Sequence, residues 1–452
     1  MRVTEDDPGA PCLARHRHEP VTAQRDDRAV PGGPAPRNGH AVRNDPAVPV
    51  PVDDPVVPQA VEAALRAHLD ERLGEAATTD PVFAEEVATR LRDAALRGGK
   101  RARGQFLWWG WRVSGGSPDG QRAARVLDVA VALELIQVCA LVHDDVMDRS
   151  PVRRGGPSVH VDFARQHRRA GMRGDADSFG TAGAVLVGDL ALSWADDLLT
   201  ATALAVPEGP RLHAEWRAMR SEMAAGQYLD VRAAAAGETG PDQALRIAAL
   251  KSALYSVERP LAMGAALAGA DPRTTELLRS VGRCAGVAFQ LRDDLLGVFG
   301  DPCRTGKPAD DDLREGRLTY LRAVALRLAE EAGDTPAGRL LRAAGASRVE
   351  EVERTRAALE DTGARKVVEE AIGRLVRLGE RRLAVLPGDP AAVAALARLV
   401  RAAGGLDTPG APPGTGPRRT APTTSPGRDA AGAPGKDTPP RRGTAPQRGT
   451  AR

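Results

Sequence analysis

Cysteine is scarce in this 452-residue chain: Cys12, Cys139, Cys284 and Cys303 lie far apart, with no CxxC pair and no grouping with histidine. That scatter indicates neither a zinc site nor a disulfide framework, and it makes a reducing cytoplasm the expected setting. Also missing is the apolar core of a signal peptide, since the chain begins MRVTEDDPGAPCLARHRHEP. No run reaches the ~18 apolar residues of a membrane span, so no transmembrane segment is expected. Neither sign of charge dominates. With 63 basic and 60 acidic residues and a net charge of +3, nothing points to a nucleic-acid partner.

The two ends lack apolar periodicity. Residues 1–54 mix Pro, Asp, Arg and Val without a period, and residues 407–452 are Pro, Gly, Thr and Arg, so both read as disordered tails, the second one basic. Residues 55–406 carry nearly all the apolar patterning and read as one large domain. Inside it, apolar residues recur at three- and four-residue spacing over 61–73, 124–145, 182–204 and 211–234. Further helices are expected at 241–268, 273–299, 316–332, 349–360, 364–385 and 390–403, punctuated by Gly, Pro and Asp. No stretch alternates like a strand, so the fold class is all-α. The 124–145 and 182–204 segments are apolar nearly all round, which predicts two central helices.

Chemistry concentrates at the ends of these helices. His143-Asp144-Asp145-Val146-Met147-Asp148 closes the first apolar helix, with Asp144 and Asp148 one turn apart on one face. Carboxylates at a helix C-terminus oppose the helix dipole and call for a compensating cation, for which magnesium is the natural candidate. A solvated acidic helix end is the alternative. Against it stand Arg153 and Arg154, adjacent fork-shaped donors suited to diphosphate oxygens, on a loop that Gly155 and Gly156 should make mobile. A second acidic cluster, Gln290-Leu291-Arg292-Asp293-Asp294, again ends an apolar helix. Two such helices in one bundle can aim carboxylates at a shared cavity. Upstream, Gly98-Gly99-Lys100-Arg101-Ala102-Arg103 sets three cations at a helix start, and Lys251, Ser252 and the Thr305–Arg317 stretch with Lys307 add donors and carboxylates.

In this order, GGKRAR, ELIQ, LVHDDVMD, RRG, KS, FQLRDD and GKPADDDLREG resemble the trans-isoprenyl diphosphate synthase (polyprenyl synthetase) family, and most closely its geranylgeranyl diphosphate synthases. The resemblance implies an orthogonal helical bundle of the isoprenoid synthase type with a central cavity, and a homodimer. It implies that Asp144 and Asp148, with Asp293 opposite, hold Mg2+, three ions per active site. Arg153, Lys251, Ser252 and Gln290 would hold the allylic diphosphate, and Lys307 is a further substrate-binding residue. Lys100, Arg103, Gln137 and Arg154 would hold isopentenyl diphosphate, Gln137 standing where many members have His. Asp144, Asp148, Arg153, Lys251 and Asp293 are thereby the expected catalytic set. Three departures stand out: Gly297 replaces the last Asp of the second motif, Arg317 stands where Lys is common, and Asp310 replaces a Gly. Asp294 or Asp301 could compensate for Gly297.

The implied reaction is head-to-tail prenyl transfer: diphosphate departs, the isopentenyl double bond attacks the allylic cation, and a proton is lost. His143 reads as an orienting or structural residue rather than a base. Cys139 and Ala140, about one turn below Asp144, are small where short-chain members carry aromatic rings, which predicts a product longer than farnesyl, C20 foremost, with longer chains the main alternative and farnesyl a further one. Tyr228 or Phe179 could instead form the floor. A terpene cyclase should carry an Asn/Asp-Ser-Glu metal triad, which is not found here. A non-catalytic partner subunit should have lost more of the acidic motifs than Gly297.

Overall fold

Ala, Leu and Val at helical spacing build helices throughout the computed structural model, which describes residues 56–406 except 119, 301–312, 315, 344, 346 and 347. In chain order they are α1 (Val57–Thr79), α2 (residues 81–96, π-helical at Ala84–Ala88), α3 (Ala102–Val113), α4 (Gln121–Met147), α5 (Val159–Arg169), α6 (Ala176–Leu204) and α7 (Gly209–Ala236). Then follow α8 (residues 241–267, π-helical at Ala249–Glu258), α9 (Pro272–Phe299), α10 (Tyr320–Glu331), α11 (Thr335–Arg342), α12 (Val349–Asp361), α13 (Ala364–Leu383) and α14 (Pro390–Ala403). Aspartate caps fix several starts: Asp175 accepts from the Ser178 amide, Asp271 from Arg273 and Thr274, and Asp389 from Ala391. The predicted all-α class holds. Among the described residues the one exception is a short antiparallel hairpin, β1 (Val152–Arg153) with β2 (Gly156–Pro157). The tails expected at 1–54 and 407–452 lie outside the described residues.

At the centre stands α4, whose residues Val129 to Ile136 are all buried. It packs on α6, α3 and α1. The other helix expected to be central is not: α6 buries Ala184, Val187, Ala191 and Trp194 but leaves Val185, Leu186 and Leu204 exposed, the last at 84%. Apolar composition on every face told nothing about which face a neighbour covers. Both helices are long and apolar enough to cross a membrane by length and composition, but 67% of the most apolar stretch of α4 is buried inside the bundle.

The π-helical stretch of α8 is held at backbone distance on two sides. A Cβ on Gly226 of α7 would sit 2.3 Å from the Lys251 nitrogen, and one on Gly286 of α9 would sit 2.4 Å from the Ala253 oxygen. Only glycine lets the three backbones approach so closely. Farther along, a buried charge network joins the same helices. Arg259 Nη1 donates to Glu215 at 2.6 Å, Arg259 Nε to Glu222 at 2.8 Å, and Arg283 Nη1 to Glu258 at 2.9 Å.

Glu258 is the costly member of that network. Burial pushes its carboxyl up to about 7 despite the nearby Arg283, Arg259 and Arg279. The folded state therefore holds this proton more tightly than the unfolded chain does. The stability it contributes is full below the ordinary glutamate range and is lost as pH rises through about 7. Glu258→Gln, which mimics the protonated form, should match the wild type within about 0.5 kcal/mol at pH 4.5 and exceed it by about 3 kcal/mol at pH 8.5. Denaturant melts at the two pH values check this; a gap that does not open with pH contradicts it.

Candidate active site

The acidic end of α4 opens onto a cleft. Gln137, Ala140, Leu141, Asp144 and Asp148 are each partly exposed and recur at three- and four-residue spacing, so one face of an otherwise buried helix borders open space. Asp144 Oδ1 accepts from Lys251 Nζ and from Gln227 Nε2, both at 3.1 Å, and Oδ2 accepts from Arg153 Nη2 at 3.4 Å. Asp145 is buried and takes Arg153 Nε at 2.7 Å, whereas Asp148 pairs with Arg317. Burial pushes the Asp144 carboxyl up, but Lys251, Arg317 and Arg153 outweigh it and hold the group below the usual carboxylate range. At Asp145 burial prevails over Arg153 and the carboxyl is raised.

Lys251 reaches this cluster from the π-helical stretch of α8. Its ammonium also donates to Asp230 at 2.7 Å. Burial alone would lower its affinity for the proton, but Asp144 and Asp230 reverse that and raise it. Ser252 lies half-buried beside it. Gln227 and Asp230 are neighbours of this cluster that sequence reasoning missed. Their signal was present: a Gln and an Asp three apart on one helix face, directly after Gly226, in a segment otherwise rich in alanine.

The structure gives Arg153 and Arg154 a defined backbone conformation. They enter the β1–β2 hairpin, closed by positive φ at Arg154 (50°) and Gly155 (74°), and Ser158 N returns to the Pro151 carbonyl at 3.2 Å. Arg153 turns to the carboxylates of α4, and Arg154 turns to the Gly98 carbonyl. Arg154 also lies 3.5 Å from where a Cβ on Gly99 would be. In that glycine-rich entry to α3, Lys100 is exposed and Arg103 half-buried, while Arg101 points inward. Arg101 pairs with Glu134 at 2.6 Å and Glu62 at 2.9 Å, so one of the three expected anion-binding cations is structural. Burial and the neighbouring cations, Arg101 foremost, weaken the hold of Arg154 on its proton, although Glu134 opposes them. An anion bound there would relieve that repulsion.

The second acidic motif presents less. Asp293 is half-buried, but Asp294 is buried and accepts from Gln290 Nε2 at 2.8 Å. Asp294 is thus engaged in the interior rather than standing in for the carboxylate that Gly297 lacks. Among the described residues no three His, Cys, Asp or Glu side chains converge as a metal site. Asp301, Lys307 and Asp310 lie outside the described residues. His143 turns away from the cleft: Nε2 donates to the Val185 carbonyl at 3.2 Å, and Nδ1 lies 3.7 Å from Cys139 Sγ. Tyr228 is 67% exposed, and Phe179 packs edge-on against Phe163 at 6.0 Å.

Two cation groups flank the hairpin, one of them facing a pair of carboxylates one turn apart. This suits two phosphate-bearing ligands held side by side. The polyprenyl synthetase family pattern matches residues 85–361. The chain belongs to that family. It is 31% identical over 247 residues to a geranylfarnesyl diphosphate synthase of Aeropyrum pernix, covering 53% of this chain and 71% of that one. It is 30% identical over 256 residues to a geranylgeranyl diphosphate synthase of Methanosarcina mazei, covering 56% of this chain and 71% of that one. Among solved structures, geranylgeranyl pyrophosphate synthase of Corynebacterium glutamicum, complexed with isoprenyl diphosphate and magnesium, is 36% identical with a TM-score of 0.75. That match covers 79% of this chain and 100% of the other. This polyprenyl synthetase is accordingly a trans-prenyltransferase.

The shared ammonium of Lys251 gives a test. Asp230→Ala removes one of its two carboxylate partners without touching Asp144, and should lower kcat about 10-fold or more, since a lost bond to a charged group is worth roughly 1.5–3 kcal/mol. Steady-state kinetics beside a thermal melt distinguish this from unfolding. Unchanged kcat in a folded variant refutes a part for Asp230.

Proposed function

We propose that this polyprenyl synthetase joins isopentenyl diphosphate to an allylic diphosphate and releases C20 geranylgeranyl diphosphate. The observation that carries the reading is the open face of α4, with Asp144 and Asp148 at its mouth and the small Ala140 below them. Asp144 and Asp148, with Asp293, would hold Mg2+: their donors are hard carboxylate oxygens, and Asp144 and Asp148 already require Lys251, Arg153 and Arg317 as counter-charges. Bound there, magnesium would neutralise charge on the departing diphosphate. Three ions is the number we propose.

Arg153 and Lys251, with Ser252, Gln290 and Lys307, bind the allylic diphosphate and stabilise negative charge as its carbon–oxygen bond breaks. Lys100, Arg103, Arg154 and Gln137 hold isopentenyl diphosphate on the other side of the hairpin. Its double bond attacks the allylic carbon, a carbon–carbon bond forms, and the proton released passes to the departed diphosphate. No side-chain nucleophile takes part. A cytoplasmic homodimer is the proposed form, supported by the exposed apolar residues Val185, Leu186 and Leu204 along α6.

Purified protein given Mg2+, isopentenyl diphosphate and each allylic starter should yield a C20 product, and excess chelator, Asp144→Ala or Asp148→Ala should abolish it; turnover at an unchanged rate sinks the reading. Lys100→Ala and Arg103→Ala should raise KM for isopentenyl diphosphate about 10- to 100-fold, with little effect on the allylic KM. Chain length tests the cleft. Ala140 lies on the open face, whereas the Cys139 thiol faces His143 and is pushed up to about 12 by burial and Asp189. Ala140→Phe should therefore shorten the product to C15 or less while condensation continues, and Cys139→Phe should add to it. An unchanged product in the double variant removes both residues from chain-length control.

A further inference from the structure

Tyr255 is a buried side chain to which nothing above gives a role. It is 3% exposed, on the π-helical stretch of α8, four residues after Lys251. Its hydroxyl donates to Gln137 Oε1, two turns below Asp144 on the open face of α4. The Arg103 guanidinium carbon stands 4.2 Å from the centre of its ring, and Arg103 Nη2 donates to Ser256 Oγ at 3.0 Å. Tyr255 thus touches two of the residues assigned above to isopentenyl diphosphate.

We propose that Tyr255 is a positioning residue for isopentenyl diphosphate: its hydroxyl selects which end of the Gln137 amide meets the substrate, and its ring holds the Arg103 guanidinium in place. The inference rests on the substrate assignment made above. An amide has a donor end and an acceptor end of nearly equal shape. A glutamine free to rotate would offer a diphosphate its carbonyl as readily as its NH2, and a carbonyl oxygen repels an anion. A buried phenol has one proton to place, and here the Gln137 carbonyl receives it. That leaves the NH2 of Gln137 as the end available to the substrate. Burial also pushes the Tyr255 hydroxyl far up, so it stays a donor throughout the working pH range. Among the described residues, Arg103 has a ring face against it and a bond to Ser256, while its buried Nε meets no partner. The aromatic face fixes the guanidinium plane without consuming its donors.

Tyr255→Phe keeps the ring and frees the amide; Tyr255→Leu removes both constraints. The first should raise KM for isopentenyl diphosphate about three- to tenfold and the second further, with the allylic KM and the thermal midpoint of Tyr255→Phe near wild type. Adding Gln137→His to Tyr255→Phe supplies a ring N–H donor that needs no phenol to orient it, and should return the KM to within about twofold of wild type. Calorimetric titration of isopentenyl diphosphate alone into Tyr255→Phe reads the same loss without turnover. Equal rises in both KM values, an unchanged isopentenyl KM in Tyr255→Phe, or failure of Gln137→His to restore it would overturn the inference. If the wild type condenses neither substrate, the substrate assignment itself falls; if it does and Tyr255→Phe is indistinguishable from it, only the role of Tyr255 falls.

Discussion

A single ammonium group organises the site. Lys251 is largely buried, and a charge so placed must be paired or it costs several kcal/mol. Sharing it between Asp144 of α4 and Asp230 of α7 meets that requirement and ties three helices at one point. The same contact answers a difficulty at the other end: the carboxylates of α4 lie where its dipole is already negative, and Lys251, Arg153 and Arg317 offset them. The wide π-helical turn of α8, admitted by Gly226 and Gly286, brings the lysine into reach.

Charges elsewhere divide into those that close on protein and those left facing the cleft. Arg101 is fully taken up by Glu62 and Glu134, and Arg259 by Glu215 and Glu222. Around Arg154, by contrast, positive neighbours outnumber the single nearby Glu134. Rigid pairs behind and unbalanced cations in front suit a surface that meets polyanions, because the protein lowers its own electrostatic cost when the ligand arrives.

Much of this was legible in the chain. Helices α4 and α6 to α9 appear in the spacing of their apolar residues to within a few positions at most of their ends, and the paired acidic motifs in order with the Arg pair marked the chemistry. What escaped was set by contacts through space. The α5 segment buries only Val159, Phe163, Ala164 and His167 among charged residues, too thin a stripe for periodicity to expose. Asp230 near Lys251 and Tyr255 near Gln137 are pairings across separate helices, which no local pattern encodes. The hairpin was read as a flexible loop because its glycines signal freedom in sequence and a tight turn in structure. The burial of α6 was overestimated because composition does not say which face a neighbour covers.

The hairpin carries a consequence of its own. Arg153 ends β1 and Arg154 turns at a left-handed φ of 50°, so the two guanidiniums leave the bend in different directions, one toward the carboxylates of α4 and the other toward Gly98. Two neighbouring guanidiniums that would repel on a common face become a partition with one positive surface on each side. Losing or gaining a residue at this bend would therefore disturb both walls at once. One left-handed residue thus gives a single dipeptide two addresses, a separation made by backbone conformation and not by distance along the chain.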